Sequence, residues 1–381
     1  MGEGWAWFPF WLTAKVMNIL VACDSFKDAL PAESVCAAIA RGVKRTHPHA
    51  KVTQMPLSDG GEGLLDVLGK ALDLRWIDKQ VRDPLGRPVT GRYGLSADGN
   101  TAVVEMARAS GLQLLTQDER DPRKTSTFGT GELLADAKAR GAVHVLLAIG
   151  GSATNDAGIG AAAALGWRFL DADGKDVPPD GGHMKDVARL VSAPAPFGKV
   201  DVLCDVTNPL YGPKGAAWIY GRQKGGSDPV LAELDDGLKH IADVVKSQLG
   251  RDVADMPGAG AAGGLGYGAV AFLGAQLKRG IEIVLDITGF DAAAAAADLI
   301  ITGEGHLDGQ SAQGKLIQGL CGRAGKTPVI ALCGKLSATP EQIGTIGLKA
   351  AYSINKKERP LAEMLANTAV NLETTAAELL L

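Results

Sequence analysis

Asn18–Cys23 reads NILVAC, and Glu33–Arg45 reads ESVCAAIARGVKR. The first is a short, unalternated run rich in Ile, Leu and Val, the composition of a strand buried on both faces of a sheet. The second carries its apolar residues at helical spacing, with Pro31 near its first turn, where a missing N–H is harmless. The loop Asp24-Ser25-Phe26-Lys27 opens the connection between them. Strand, loop and helix in this order form the repeating unit of α/β proteins with a largely parallel sheet.

The same signal recurs outward along the chain. Val52–Pro56, His144–Ile149, Asp201–Cys204, Asp298–Thr302 and Pro328–Cys333 are further apolar runs beside glycine-rich turns, and Glu132–Arg140 and Glu233–Leu249 have helical patterns. Leu74–Ala107 breaks the alternation. Its turn signals Pro84-Leu85-Gly86 and Ala97-Asp98-Gly99 separate short strand-like runs, which predicts an antiparallel meander. Trp167–Val177 repeats the hairpin signal, and the alanine tract Asp291–Asp298 predicts a plain helix. A chain of 381 residues favours more than one domain. The expected fold class is therefore α/β with two domains. A Rossmann-like parallel-sheet domain is built from 17–73 and 295–381, with a mixed-sheet α/β domain, 74–294, inserted in it. No signal fixes which of the two holds Thr125–Leu165.

Composition narrows the function. A formal net charge of -4 argues against nucleic-acid binding, which needs a basic surface, but allows an anionic substrate in a locally basic cleft. Fifty glycines, with aromatics at only 5%, imply many tight turns and close backbone approaches. Cys23, Cys36, Cys204, Cys321 and Cys333 are scattered without a C-x-x-C pair, so buried thiols in a reducing cytoplasm are expected rather than zinc or disulfides. Met1–Val16 is dense in Trp and Phe but lacks the basic start and cleavage site of a signal peptide, and it is too short to span a bilayer. It is expected to be a disordered extension outside the fold, and no other segment reads as transmembrane.

Two motifs mislead. Gly258, Gly260 and Gly263 match G-x-G-x-x-G, but the polar RDVADM before them is not the strand that a dinucleotide site requires. Gly309–Leu316, GQSAQGKL, has P-loop spacing, but Leu316 stands where a magnesium-binding hydroxyl belongs. Lys315 can still neutralise phosphate charge.

The informative residues lie in loops that directly follow predicted strands. These are Asp24–Lys27, Leu57–Gly63 (LSDGGEG), Gly151–Gly158 (GSATNDAG), Asp205–Leu210 (DVTNPL) and Gly303–Ser311 (GEGHLDGQS). Open α/β sheets bind ligands at such strand ends, where backbone N–H groups and helix N-termini converge. Any one of these loops is explained by turn-forming Asp, Asn and Gly. Five together supply acids for a metal and a base, with amides and glycines for phosphate. Phosphoryl transfer calls for such a set, because its transition state spreads negative charge over the transferred oxygens. Lys27, Lys224 and Lys315 are candidates for clamping anionic groups. The histidines form no hydrolytic triad pattern; only His306 lies in a candidate loop.

Seven segments, in order, resemble the bacterial glycerate kinase family of glycerate 2-kinase type. They are DSFKDALPA (Asp24–Ala32), PLSDGGEG (Pro56–Gly63), STFGTGEL (Ser126–Leu133), IGGSATNDAGIG (Ile149–Gly160), CDVTNPLYGPKGAA (Cys204–Ala217), GRQKG (Gly221–Gly225) and ITGEGHLDGQSAQGK (Ile301–Lys315). Departures are small: Asp28-Ala29 where Gly-Ser is common, and Arg222 where Pro is common. The resemblance implies a cytoplasmic ATP- and Mg²⁺-dependent kinase, monomer or homodimer, acting on D-glycerate between two domains and favouring 2-phosphoglycerate. Nucleic acid and membrane are not expected as partners. It further implies Ser25 and Lys27 for the substrate carboxylate or γ-phosphate, with Asp59, Asp205 and Asp308 divided between base and metal roles. Asp205 is favoured as base, and Asp308 and Glu304 as metal ligands. Asn155, Asp156, Asn208 and Gln310 would orient substrate or phosphates, alongside Lys224 and Lys315. The competing enzyme reading is an NAD-dependent oxidoreductase acting on a small hydroxy acid. A non-catalytic carboxylate sensor is the alternative from another class.

Overall fold

The computed structural model describes residues 16–26, 28–58, 64–194, 197–307, 316–357 and 359–379. The chain divides into two compact units, one built from the chain up to Leu57 and from Gly289 onward, the other from Ser58–Thr288.

The first unit opens with β1 (Asn18–Cys23), α1 (Ala32–Thr46) and β2 (Lys51–Pro56). The second unit then runs through α2 (Leu64–Ala71), β3 (Arg75–Arg82), β4 (Pro88–Leu95), β5 (Thr101–Glu105), α3 (Ala107–Ser110), α4 (Phe128–Ala139) and β6 (His144–Ala148). It continues with α5 (Ile159–Ala164), β7 (Arg168–Leu170), β8 (Arg189–Val191), β9 (Lys199–Leu203), α6 (Ala216–Tyr220), α7 (Asp228–Leu249), α8 (Ala261–Leu273), β10 (Gln276–Lys278) and α9 (Gly280–Thr288). The chain returns to the first unit with α10 (Phe290–Ala296), β11 (Leu299–Leu307), α11 (Leu316–Arg323), β12 (Val329–Leu336) and α12 (Pro340–Ile346). It ends in β13 (Ala350–Ser353), α13 (Leu361–Ala366) and α14 (Thr368–Ala377).

In the first unit five parallel strands lie in the order β13-β12-β11-β1-β2. Helix α1 buries Val35, Cys36, Ile39 and Val43 in a core shared with Ile19, Val21, Ile301 and Leu332. Glu33 in its first turn and Lys44 and Arg45 in its last suit the helix dipole. Gly42 lets α14 lie against it, since a Cβ there would overlap the Glu373 carbonyl. The second unit holds a six-stranded sheet, β10-β9-β6-β5-β4-β3, in which β5, β6, β9 and β10 are parallel. Strands β3, β4 and β5 form the antiparallel meander read from Leu74–Ala107. The α/β class with one parallel and one mixed sheet is thus present. Around Phe272 the rings of Trp167, Phe169 and Tyr267 pack edge-on within that unit's core.

Several local expectations need correction. Val52–Pro56 is not buried on both faces; β2 is an edge strand, paired to β1 alone and mostly half-buried or exposed. The Trp167–Val177 hairpin does form, with the Asp171 N–H donating to the Lys175 carbonyl, the Val177 N–H to the Phe169 carbonyl and an antiparallel bridge between Leu170 and Asp176, and β7 pairs in addition with the later strand β8. The loop expected from Gly303 starts later. Strand β11 continues to Leu307 because Gly303, Glu304, His306 and Leu307 all pair with β12. Gly334 permits this extension, as a Cβ there would come within 2.6 Å of the Gly305 carbonyl oxygen.

Candidate functional site

Each unit gathers predicted residues at the C-terminal ends of its parallel strands. In the first unit the chain steps from β1 to β2 on one side and re-enters at β11 on the other. The order therefore reverses between β1 and β11, and ligand crevices form beyond such a reversal. Asp24 and Ser25 follow β1 there; the Asp24 N–H donates to the Gly303 carbonyl (3.3 Å) and the Ser25 N–H to Asp24 Oδ1 (2.6 Å). Glu304 lies one residue beyond Gly303, opposite Cys333, whose thiol is pushed up to about 12 by burial and, secondarily, by the Glu304 charge. Thr302 is fully buried, and its hydroxyl has no partner among the described residues. His306 lies on the strand rather than in a loop, 2.9 Å from the Ser337 hydroxyl. Lys27, Asp308, Gln310 and Lys315, with the P-loop-like Gly309–Lys315, lie outside the described residues, as does Asp59.

In the second unit the loop after β6 is held from several sides. Ala153 N–H donates to the Ser110 carbonyl and the Thr125 hydroxyl to the Ala153 carbonyl. Asp156, fully buried, accepts from the Thr127 N–H and hydroxyl (both 2.7 Å) and from the Gly158 and Gly160 N–H groups (3.1 and 3.3 Å). Burial raises its pKa, and these four bonds oppose the rise. Lys224, in a 3-10 turn at Arg222–Lys224, is only 1% exposed. Its Nζ donates to the Ser152 hydroxyl (2.8 Å) and the Thr154 carbonyl (2.7 Å). Burial brings its pKa down to about 7, with the Asp156 charge pulling the other way. Asn155 differs from both: it is fully buried, yet neither amide atom has a partner among the described residues.

The loop after β9 is held from the next helices. Asp205, exposed, accepts the Gly280 N–H at the start of α9 (3.0 Å). Asn208 donates to the Lys214 carbonyl (2.9 Å) and accepts from the Tyr220 hydroxyl (2.6 Å). Thus Asp156 and Lys224 both tie down the loop that carries Asn155, while Asp205 and Asn208 belong to the neighbouring strand end. Thr127, the partner of Asp156, and Thr154 escaped the sequence reading as site residues. The segment Ser126–Leu133 carried the signal for Thr127, and Thr154 was marked only as a member of the loop Gly151–Gly158.

The glycines at 258–268 have a structural task. Residues 250–260, not a strand, separate α7 from α8, and Ala262, Gly263 and Gly264 have left-handed φ of 54°, 68° and 91°. A Cβ on Gly260 would overlap the Pro209 carbonyl, and one on Gly263 the Thr154 carbonyl. These glycines bring the start of α8 against the two strand-end loops; the dinucleotide reading, and with it the oxidoreductase alternative, has no support.

The glycerate kinase family profile matches residues 19–381. The chain belongs to the glycerate kinase family. A glycerate kinase of Bacillus cereus is 43% identical over 366 residues, covering 94% of this chain and 96% of that protein. A glycerate 2-kinase of Escherichia coli is 42% identical over 344 residues, covering 89% and 90%. The crystal structure of a Salmonella typhimurium LT2 protein described as a glycerate kinase 2 superposes with a TM-score of 0.85 at 40% identity, covering 95% of this chain and 96% of that one. The family is one of kinases, as the strand-end loops suggested. Among the described residues no helix is long and apolar enough to cross a membrane, and no three His, Cys, Asp or Glu side chains form a metal-binding group.

Proposed function

We propose that this protein uses ATP to phosphorylate D-glycerate, giving 2-phosphoglycerate. One observation carries the reading: the resemblance to glycerate kinases runs from residue 19 to the end of the chain, and one such relative is a glycerate 2-kinase. The strand-end carboxylates and amides supply the chemistry. Asp205 is the residue we assign to orient and deprotonate the attacking hydroxyl, since its carboxylate is exposed at a strand end and fixed by the α9 N-terminus. Ser25 and Lys27, with Asp59, Gln310 and Lys315, are assigned to substrate and phosphate. Asp156, Lys224 and Asn208 act by holding their loops, because their polar atoms bond to the protein itself.

The donor set suits Mg²⁺, which takes one or two carboxylates and keeps several waters. The bond from the Asp24 N–H to Gly303 brings Asp24, just past the end of β1, beside the stretch of β11 that carries Glu304, and both offer hard oxygen ligands; Asp308 is the third acid we assign to the ion. When bound there, the ion would neutralise charge on the phosphate oxygens.

A coupled ADP-release assay across glycerate, glyoxylate, lactate and hydroxypyruvate tests the activity, and NMR of the product tests the position of transfer. Glycerate is expected to be the preferred substrate; ADP release that does not respond to glycerate would overturn the proposal. Asp205→Asn is expected to lower kcat on glycerate by about 10²- to 10⁴-fold, the usual range for a positioned general base. Near-normal kcat would remove Asp205 from that role.

A further inference from the structure

Thr154 and Asn155 have hydrogen-bonding capacity that none of the described residues uses. Both are fully buried, and the Thr154 hydroxyl and both Asn155 amide atoms lack a partner among the described residues. Native interiors rarely leave such groups unpaired, so the pair marks a place for an occupant. Its position agrees: the pair follows β6, between the parallel neighbours β5 and β9, where α/β sheets take ligands. The surrounding backbone is also strained. Ala157 and Ala262 both adopt left-handed φ, 52° and 54°, and the Ala157 N–H donates to the Gly263 carbonyl. Non-glycine residues held this way cluster at ligand clamps.

The chemistry of the pair selects the occupant. An amide offers donors at Nδ2 and an acceptor at Oδ1, and a threonine hydroxyl does both. A phosphate or carboxylate oxygen would satisfy Nδ2 but meet Oδ1 acceptor to acceptor, with the buried Asp156 carboxylate next in the chain. An ammonium would leave Nδ2 unpaired. An alcohol donates to one amide atom and accepts from the other. We infer that Thr154 and Asn155 form the subsite for the acceptor's second hydroxyl, the one that does not receive the phosphoryl group. On the kinase reading, on which this inference rests, they make the enzyme prefer a dihydroxy acid to a monohydroxy acid.

The test measures kcat/KM by ADP release for glycerate, lactate and 3-hydroxypropionate, the last two each lacking one hydroxyl. A site built to bond a substrate hydroxyl rejects analogues without it by about 10⁴- to 10⁵-fold, and the unsubstituted enzyme should prefer glycerate over the better analogue by at least about 10³-fold. Asn155→Leu should shrink that ratio by at least about 30-fold, and the nearly isosteric Thr154→Val by about fivefold, with KM for ATP within about twofold. If Asn155→Leu fails to fold, Thr154→Val and Asn155→Ser carry the test. Folded variants that keep the original ratio overturn the inference, including variants that merely melt earlier, as loss of a buried water would produce. No ADP from glycerate with the unsubstituted protein would instead sink the kinase reading.

Discussion

Lys224 carries its amine into the protein interior, and the consequence is a stability that depends on pH. In the unfolded chain a lysine stays protonated up to its usual 10.5, whereas here burial brings the pKa down to about 7. Between these values the unfolded state binds more protons than the folded one, so this residue's contribution to stability rises with pH through that window. It is least favourable below pH 7, where a charge must sit in the interior. Lys224→Met removes the titration. The melting temperature of the variant minus that of the parent should therefore fall as pH rises from about 6.5 to about 9.5. A difference that stays flat in thermal melts over this range rejects the assignment. The same loop shows what a sequence withholds at this scale. GSATNDAG names Asn155 and Asp156 as equals, yet among the described residues the carboxylate takes four donors while the neighbouring amide pairs with none. The difference is set by Thr127, 29 residues earlier, and by the glycines of α8, neither visible in the loop's own residues.

At the level of elements, the contact between the start of α8 and the β6–α5 loop is the feature that shapes the pair at 154–155. Gly263 has both a left-handed φ of 68° and no room for a Cβ beside the Thr154 carbonyl. Gly274, at the other end of α8, has nearly the same φ of 69° but open space around it. Gly274→Ala should thus lose only the conformational term, about 1–2 kcal/mol. Gly263→Ala adds the displacement of Thr154, and its melting temperature should fall at least several degrees further, at about 2–4 °C per kcal/mol. It should also raise KM for glycerate, which Gly274→Ala should not. Equal effects on melting would mean that the α8 contact is slack. Long apolar strands were legible because they are buried in parallel sheets: β1, β6, β9, β11 and β12 all lie where apolar runs stood. The three-residue β10 and four-residue β13 were not, being too short for a period to register. The start of α8 stood out in the sequence only as a G-x-G-x-x-G match without a strand before it. Its helix is set instead by close packing onto neighbouring loops, a tertiary effect.

Across the whole molecule, the two cores differ in how the chain supplies them. Among the described residues, the core built around Tyr93, Leu133, Phe272 and Ile241 draws only on those between 77 and 277, one continuous stretch. The core around Ile19, Ile39 and Val43 needs Ile301, Leu332 and Leu372 from beyond residue 288. Strand β1 shows the dependence directly, with β2 on one side and β11, some 280 residues later in the chain, on the other. A domain with its own core and a continuous chain can fold alone. The fragment 58–288 should therefore give a helical and strand-containing circular dichroism spectrum and a single cooperative melt. The fragment 1–57 should show neither, because a lone β1–α1–β2 segment cannot bury the inner face of its sheet. Mixing 1–57 with 289–381 should restore cooperative melting, since together they hold every strand of the five-stranded sheet. If 58–288 melts without cooperativity while the full chain melts sharply, the inserted unit depends on contacts beyond its own core, and its independence is refuted.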